Sequence, residues 1–149
     1  FSSIDVFDVD SDADLDVVIS GMDGTYTPIL KLYLNSGTGS YIDSNQIFIG
    51  TYTGGTRFLD FNNDGVKDII STGNEGTNYY TYLYEGSSTG TFTNVTTSLL
   101  QNVDGISMGK IAILDYDNDT DDDFFIMGIN NDGDDADNAA PKINPIAYL

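Results

Sequence analysis

The sequence contains no cysteine, no histidine and no tryptophan. Without cysteine, the chain has no means to build disulfides, thiolate metal sites or thiol redox centres. Without histidine, it lacks the commonest general base, the Ser-His-Asp triad and the preferred nitrogen ligand of zinc. These absences argue against Ser-His-Asp hydrolases, thiol redox proteins and the usual kinds of zinc site.

Positive charge is scarce as well. Lysine and arginine together number 5 against 24 aspartates and glutamates, which gives a formal net charge of −19. A field of this sign disfavours nucleic acids and anionic membrane surfaces as partners, and it favours cations.

Long hydrophobic stretches are absent too, since no apolar run approaches the roughly 20 residues that span a bilayer. We therefore expect no membrane insertion. No signal peptide is visible, and the chain begins at Phe1 in a strand-like stretch, so we expect it to be part of a longer polypeptide. With 149 residues, 40% of them hydrophobic, the chain is large enough for one domain with a core.

A repeat organises the residues that are present. Three segments align without gaps: DVDSDADLDVVISG from Asp8, DFNNDGVKDIISTG from Asp60 and DYDNDTDDDFFIMG from Asp115. Each has Asp or Asn at positions 1, 3, 5 and 9, followed by an apolar stretch and a glycine. Self-similarity at a fixed period indicates one supersecondary unit used several times.

Short strands are predicted around each acidic segment, because β-branched and aromatic residues form runs there between polar turns. The runs before the acidic segments are SIDVF (3–7), TRFL (56–59) and KIAIL (110–114). The later runs are LKLYL (30–34), YTYLY (80–84) and INPIAYL (143–149). No segment has a sustained helical period, so the sequence predicts an all-β fold.

Units of about 50 residues with four short antiparallel strands are typical of β-propeller blades. The approximate repeats are 1–51, 52–104 and an incomplete 105–149, which together form a single propeller fragment over 1–149. A closed ring takes about four blades or more. We therefore predict about three blades of a larger ring, with further blades from the same polypeptide or from other chains.

The acidic loops have the composition of calcium sites, because Ca²⁺ takes about six to eight oxygen ligands. Side chains at positions 1, 3, 5 and 9 and the carbonyl at position 7 are the candidate ligands. They are Asp8, Asp10, Asp12, Asp14 and Asp16 in the first loop, Asp60, Asn62, Asp64, Val66 and Asp68 in the second, and Asp115, Asp117, Asp119, Asp121 and Asp123 in the third. We predict three Ca²⁺ ions, one per repeat.

Two other interpretations of the loops are weaker. In EF-hands a glutamate occupies position 12 and helices flank the loop, whereas here position 12 is Ile19, Ser71 or Ile126. Solvated acidic turns of a salt-adapted protein would not hold the same four positions three times.

The segment DFNNDGVKDII resembles the FG-GAP or VCBS-type repeat of β-propellers, which occurs in integrin α-subunit heads and in many bacterial surface proteins. The family pattern is D-x-[DN]-x-D-G-x-x-D, then an apolar strand and glycine, and the resemblance covers essentially the whole chain. It implies that each loop joins the first two strands of a blade and binds calcium through the ligands given above.

Position 6 departs from the pattern in two loops. The family has glycine there for a left-handed turn, as at Gly65, but the first loop has Ala13 and the third has Thr120. A residue other than glycine in that conformation costs about 1 to 2 kcal/mol. Asp10 and Asp117, at position 3 of these two loops, are candidates to offset that cost. The second loop has Asn62 at this position.

The sequence and the resemblance favour a non-catalytic module, secreted or on the cell surface, for adhesion or for recognition of a protein or glycan. Extracellular calcium modules often have dissociation constants of about 10⁻⁴ to 10⁻³ M, which cytosolic calcium does not fill. The alternatives are the propeller of a secreted polysaccharide-degrading enzyme and a purely structural spacer in a large adhesin. The enzyme is disfavoured because the clustered carboxylates are assigned to metal.

Three smaller expectations concern individual side chains. Most tyrosines are predicted to pack between blades, while Tyr26, Tyr52 and Tyr79 lie near turns and are candidates for ligand contact. Arg57 and Lys110 precede acidic loops and are candidates to pair with surplus carboxylates. The acidic insertion at 130–138 is predicted to be a mobile surface loop, with a fourth ion site or a ligand loop as the alternatives.

Overall fold

The computed structural model describes the backbone of residues 2–100, 103, 105–130 and 142–146. Its elements, in chain order, are β1 (Ser3–Phe7), β2 (Asp16–Met22), β3 (Pro28–Asn35), β4 (Tyr41–Asp43), β5 (Tyr52–Leu59), β6 (Asp68–Glu75), β7 (Asn78–Gly86), β8 (Phe92–Asn94), α1 (Thr96–Leu99), β9 (Ile106–Leu114), β10 (Asp123–Asn130) and β11 (Lys142–Ile146). Over these residues, no helix is long and apolar enough to cross a membrane.

The strands form three antiparallel sheets whose order follows the chain. The first two sheets are the four-stranded meanders β1-β2-β3-β4 and β5-β6-β7-β8, and the third contains β9, β10 and β11 in the described residues. These sheets confirm the predicted all-β architecture of four-stranded propeller blades. The predicted strand at 143–149 is confirmed as far as Ile146, and the acidic insertion at 130–138 lies outside the described residues except at its first position.

Two inner strands begin earlier than the sequence predicts. β5 begins at Tyr52 and β9 at Ile106, although glycines in both segments favour a break. In each strand the register shifts near a residue with positive φ, which is Thr53 (62°) in β5 and Met108 (53°) in β9. These bulges absorb the irregularity and let strand pairing continue beyond the glycines.

The hydrophobic core consists of two layers, one on each side of the middle blade. Ile69 and Ile70 are adjacent in β6 and point to opposite faces, yet both are fully buried. Ile69 packs in the layer shared with the first blade: Val9, Val18, Leu30, Leu32, Phe58, Tyr82 and Tyr84. Ile70 packs in the layer shared with the third: Leu59, Phe61, Leu83, Leu100, Ile106, Ile111, Phe124 and Ile126. Each blade thus depends on its neighbour for its core.

Buried hydroxyl groups connect the first two blades below this core. Thr56 Oγ1 donates to Ser20 Oγ at 2.8 Å and lies 3.0 Å from Ser71 Oγ, which lies 2.8 Å from Thr51 Oγ1. All four residues are buried, so their hydroxyls need one another as partners. The chain of hydroxyls fixes the spacing of the two sheets.

The connection between the first two blades, residues 44–51, packs against the second blade. Phe48 makes an edge contact with the ring of Tyr84 at 5.0 Å, and the Tyr84 hydroxyl accepts from Ile49 N at 2.8 Å. Tyr84 and Tyr82 are buried, while Tyr80 stacks on Tyr82 at 5.7 Å and stays 39% exposed. The prediction that YTYLY packs between blades is thereby confirmed at Tyr82 and Tyr84.

Candidate metal sites

Each acidic loop joins the first and second strands of its sheet, as the resemblance implies. The loops are 8–15 between β1 and β2, 60–67 between β5 and β6, and 115–122 between β9 and β10. The first strands run side by side in the same direction, since Ser3 Oγ contacts Thr56 and Asp5 Oδ2 accepts from Phe58 N at 2.9 Å. The first two loops therefore lie at the same end of the blades, and the third lies beside the second, since Asp122 N donates to Asp60 O at 2.9 Å.

Two left-handed residues shape every loop. At position 6, φ is 75° at Ala13, 82° at Gly65 and 86° at Thr120, which confirms the predicted left-handed turn. At position 4, φ is also positive: 63° at Ser11, 54° at Asn63 and 64° at Asn118. Sequence reasoning missed position 4, although asparagine, which tolerates this conformation, occupies it in two loops.

The carboxylate at position 1 holds the turn together. Asp8 Oδ1 accepts from Asp12 N at 3.1 Å, and Asp8 Oδ2 accepts from Ala13 N at 2.9 Å. Asp60 makes the equivalent bonds with the nitrogens of Asp64 and Gly65. Asp115 accepts from Thr120 N at position 6 as well, but its second donor is Asn118 N, at position 4 instead of position 5. Backbone N–H groups thus already occupy part of the acceptor capacity of this predicted ligand.

The carboxylate at position 9 is a buried anchor. Asp16 has no exposed surface, and its Oδ2 accepts from Val9 N at 2.8 Å while its Oδ1 accepts from Asn35 N at 2.8 Å. In the second loop the donors to Asp68 are Phe61 N at 3.1 Å and Gly86 N at 2.7 Å. In the third, Tyr116 N donates to Asp123 Oδ2 at 2.7 Å. Each position-9 aspartate thus fastens the start of its loop to the sheet.

The carboxylate at position 5 bonds within its own loop. Asp12 Oδ1 accepts from Asp14 N at 2.9 Å. The same bond is made by Asp64 with Val66 N at 2.8 Å and by Asp119 with Asp121 N at 3.2 Å. The position-7 carbonyls of Asp14, Val66 and Asp121 remain predicted ligands.

Positions 1, 3 and 9 converge in the first and third loops. One carboxylate oxygen from each of Asp8, Asp10 and Asp16 lies within 4.8 Å of the others, and the same holds for Asp115, Asp117 and Asp123. Two oxygens bound to one Ca²⁺ at about 2.4 Å are at most about 4.8 Å apart. Three predicted ligands in each of these loops are therefore close enough to share one ion.

The second loop differs because position 3 is an amide. Asn62 Nδ2 donates to Asp64 Oδ2 at 3.2 Å and to Glu85 Oε1 at 3.3 Å, and Asn62 Oδ1 accepts from Asp64 N at 3.2 Å. Glu85, from β7, brings a carboxylate to this loop that sequence reasoning did not assign. In the first blade, Leu34 lies at the corresponding place, opposite position 9.

Several buried oxygens in the loops have no hydrogen-bond donor. Within the described part of the chain, no donor bonds to Asp10 Oδ1, Asp121 Oδ1 or Asp123 Oδ1. A buried acceptor without a partner costs free energy, and more when it is charged. An oxygen-lined space that lacks donors is the environment that a hard cation satisfies.

The electrostatics disfavour negative charge at four of the loop carboxylates in the absence of a cation, whereas hydrogen bonds from Asp121 lower the pKa of Asp119. Burial, and then the neighbouring carboxylates, raise the pKa of Asp10 and of Asp117. Burial raises the pKa of Asp68 to about 7, although backbone N–H groups oppose the shift. A hydrogen bond to Asp119, followed by burial, raises the pKa of Asp121 to about 6. A divalent cation favours the ionised form of such groups.

The basic residues are placed differently from the prediction. Arg57 Nη1 donates to Thr56 O at 2.8 Å and to Ser3 Oγ at 3.4 Å. The Arg57 side chain therefore contacts β1 and does not pair with the carboxylates of the acidic loop. Neither Arg57 nor Lys110 forms an ion pair with a described carboxylate. The ion pairs found in that part of the chain are Lys31 with Asp43 and Lys67 with Asp122.

The candidate tyrosines lie at the opposite end of the blades from the acidic loops. Tyr26 is in the turn after β2 and is 83% exposed. Tyr52 begins β5, and its hydroxyl donates to Gly76 O at 3.2 Å in the turn after β6. Tyr79 pairs with Asn74 beside the same turn and is half-buried.

The sequence matches the FG-GAP-like repeat family over residues 8–71 and again over 60–126. The matches start at Asp8 and Asp60, which are the first positions of two acidic loops. Together they span all three loops and extend into β10 as far as residue 126, so the resemblance to the FG-GAP repeat is confirmed. No curated protein matches the sequence.

Proposed function

Because the chain belongs to the FG-GAP-like repeat family, we propose that it is a calcium-binding propeller module without catalytic activity that recognises a protein or glycan outside the cell. FG-GAP repeats point to a β-propeller-type module that often occurs in extracellular or adhesion proteins. Which ion the loops bind, and what the module recognises, are the two parts of the proposal.

The observation that carries the calcium proposal is the convergence of oxygens in the loops. Asp8, Asp10 and Asp16 present oxygens within 4.8 Å of one another, as do Asp115, Asp117 and Asp123, with unpartnered buried oxygens among them. No nitrogen or sulfur ligand is available, because the sequence has no histidine or cysteine. All-oxygen ligation favours Ca²⁺ over zinc and copper, and three converging carboxylates favour Ca²⁺ over Mg²⁺, which usually keeps several waters and takes one or two carboxylates.

The chain's own residues explain how an ion would stiffen the module. Calcium, when bound, supplies positive charge that offsets the repulsion between clustered carboxylates. Asp16 would then connect the ion, the loop and β3. It is a candidate ligand, and it also accepts from Val9 N in the loop and from Asn35 N at the end of β3. An ion in the loop therefore stabilises the whole blade rather than the loop alone.

The end of the blades opposite the loops is the proposed recognition surface. It carries Tyr26, which is 83% exposed, and the turns beside Tyr52 and Tyr79. Exposed tyrosines suit recognition because the ring supplies apolar area and the hydroxyl supplies hydrogen bonds. Its separation from the loops lets calcium act through blade rigidity instead of through contact with the ligand.

Further blades are proposed partners of the two outer sheet faces. In β10, Phe124 and Ile126 are buried against the middle blade, whereas Met127, on the other face, is 48% exposed. A blade face with exposed apolar residues gains stability when a neighbouring blade covers it. The neighbour comes either from the same polypeptide or from another chain.

No specific observation favours the polysaccharide-degrading alternative. FG-GAP repeats are a structural and recognition module family. Within the described residues, the groups of three carboxylates that lie within 4.8 Å of one another belong to the acidic loops and are assigned to the proposed ions. A spacer role differs from the proposal only in lacking a ligand.

Thermal unfolding in EDTA, magnesium and calcium tests the calcium proposal. Each site stabilises the fold by about 2.7 kcal/mol when calcium is about 100 times its dissociation constant. We expect a large rise in melting temperature with calcium and a smaller one with magnesium. Replacing the position-3 residues together (Asp10→Ala, Asn62→Ala and Asp117→Ala) should abolish the calcium effect. Identical curves in EDTA and calcium would contradict the proposal.

A glycan and protein-ligand array, run with and without calcium, tests the recognition proposal. We expect binding that requires calcium and is weakened by Tyr26→Ala, while melting in calcium is unchanged. Binding that Tyr26→Ala leaves intact would place recognition elsewhere, and no binding with intact calcium sites would favour the spacer.

A further inference from the structure

We propose that Asp122 couples the second and third acidic loops, so that an ion bound in either loop raises the affinity of the other. The inference rests on the proposed calcium binding and deepens it. It concerns position 8, which is not a candidate ligand in any loop.

Asp122 and Asp60 form a reciprocal pair between neighbouring blades. Asp122 N donates to Asp60 O at 2.9 Å, and Asp60 N donates to Asp122 Oδ2 at 2.8 Å. Asn63 Nδ2 adds a third bond between the loops, to Thr120 Oγ1 at 3.1 Å. The two loops thus form one hydrogen-bonded unit.

Lys67 completes the bridge from the second loop. Its Nζ lies 2.5 Å from Asp122 Oδ2, the oxygen that also accepts from Asp60 N. The same Nζ lies 6.0 Å from the centre of the Phe7 ring at the end of β1. The carboxylate of Asp122 is therefore held by two donors from one neighbouring loop, and it is only 29% exposed.

The position of each partner explains why this bridge transmits an effect. Asp60 is position 1 of the second loop, and its carboxylate holds the nitrogens of Asp64 and Gly65. Asp122 directly precedes Asp123, the position-9 candidate ligand of the third loop. Movement of Asp123 toward an ion therefore shifts the peptide that fixes Asp60. Any such coupling must be reciprocal, because both ions bias the same element.

The first loop lacks this bridge. The equivalent bridge would join position 8 of the second loop to position 1 of the first, but that residue, Lys67, pairs with Asp122 of the third loop instead. No hydrogen bond joins residues 8–15 to residues 60–67, both of which are described in full. The first loop should therefore bind its ion independently of the other two.

Amide shifts of the intact chain provide one reporter per loop for calcium titrations. The position-6 nitrogens of Ala13, Gly65 and Thr120 each donate to the position-1 carboxylate of their own loop. Emptying the third loop with Asp117→Ala should raise the calcium midpoint at Gly65 about fivefold or more, the usual range for coupled sites. The midpoint at Ala13 should not change.

Asp122→Ala should weaken the coupling, because it removes the acceptor of Asp60 N and leaves the backbone bond from Asp122 N to Asp60 O. In that background, Asp117→Ala should shift the Gly65 midpoint by a smaller factor than in the parent chain. Reciprocity adds a second requirement: in the parent chain, Asn62→Ala should shift the Thr120 midpoint by the same factor. If Asp122→Ala fails to fold, Asp122→Asn replaces it as the test. The asparagine retains an acceptor oxygen for Asp60 N but loses the charge, so part of the coupling should remain.

Two controls separate the bridge from general effects of charge. Lys67→Met removes the ion pair but leaves both Asp60–Asp122 bonds, so coupling should persist. Asp43→Asn removes the carboxylate of an ion pair in the first blade, Lys31 with Asp43, and should change neither midpoint.

Two results would overturn the inference. The coupling is wrong, and the calcium proposal stands, if calcium binds but Asp117→Ala leaves the Gly65 midpoint unchanged. The same conclusion follows if Asp117→Ala shifts that midpoint equally in the parent chain and in Asp122→Ala. If no reporter amide responds to calcium in the parent chain, the coupling fails together with the proposed function.

Discussion

Asp16 Oδ1 lies 2.8 Å from the backbone nitrogen of Asn35, at the last residue of β3. Asp68 Oδ1 makes the same contact with Gly86 N, at the last residue of β7. The position-9 aspartate therefore serves the fold even without an ion, unlike the more exposed carboxylate at position 3.

This difference predicts separate effects for Asp16→Ala and Asp10→Ala. Asp16→Ala leaves the buried nitrogens of Val9 and Asn35 without acceptors, so it should lower the free energy of unfolding in EDTA by about 2 to 4 kcal/mol. Asp10→Ala should have little effect in EDTA and should lower the stabilisation that calcium gives. Urea unfolding of both variants measures this, and equal losses in EDTA would contradict the assigned roles.

The raised pKa of Asp68 predicts an unusual pH dependence for the metal-free protein. Its pKa is about 7 in the folded state, against 3.8 as the ordinary value, so the folded state binds more protons between these limits. Stability should therefore fall as pH rises from 5 to 7.5, by about 2 kcal/mol. Calcium, which favours the carboxylate, should reverse the trend.

Urea unfolding at several pH values, in EDTA and in calcium, tests the effect of Asp68. Asp68→Asn should reduce the pH dependence in EDTA, because the asparagine side chain does not titrate, and the raised pKa of Asp121 should account for part of the slope that is left. A parent chain whose stability in EDTA rises between pH 5 and 7.5 would contradict the argument.

Glu85 is predicted to orient the amide of Asn62. Its Oε1 accepts from Asn62 Nδ2, and only the amide oxygen of Asn62 is able to bind a cation. Glu85→Ala should lower the affinity of the second loop about 10-fold or more, the usual effect of losing such an outer partner. The calcium midpoint at the Gly65 amide reports this loop.

Two comparisons make the Glu85 prediction specific. Glu75→Ala removes a carboxylate at the far end of the same blade, where it accepts from the Tyr82 hydroxyl, and should leave the Gly65 midpoint unchanged. In an Asn62→Asp background, Glu85→Ala should no longer weaken binding, because both oxygens of the aspartate are able to bind a cation. Equal weakening in both backgrounds would make Glu85 a ligand instead.

Position 6 predicts opposite effects of exchanging glycine and alanine. Ala13→Gly and Thr120→Gly should each stabilise the chain by about 1 kcal/mol, since φ is 75° and 86° at these residues. Gly65→Ala should destabilise by a similar amount through the backbone alone, because no atom lies within 4 Å of the added Cβ. Calorimetry in calcium measures all three, and a loss on Ala13→Gly would show that the strain argument is wrong.

The blade architecture and the loop positions were predictable because they depend on local pattern. Alternating apolar strands and a recurrent Asp series give the order of elements without knowledge of contacts. The bulges at Thr53 and Met108 were not predictable, since neither residue favours positive φ.

Contacts that involve backbone donors or neighbouring blades have no signature in one sequence. Asp16 accepts from Asn35 through a backbone N–H that almost any residue would supply. The pairing of Asp122 with Asp60 depends on how two blades stack, and Asp122 looked like one more acidic residue in an acidic loop. The exchange of Asp for Asn at position 62 was visible, but its partner Glu85 comes from another strand.

The most direct test of the central claim is a crystal structure of the chain grown in calcium, with anomalous difference density measured at a long wavelength. We predict one anomalous peak in each loop, within about 2.3 to 2.6 Å of oxygens at positions 1, 3 and 9. Ordered loops that show no anomalous peak, with only water at hydrogen-bonding distances from Asp10 and Asp117, would contradict the account.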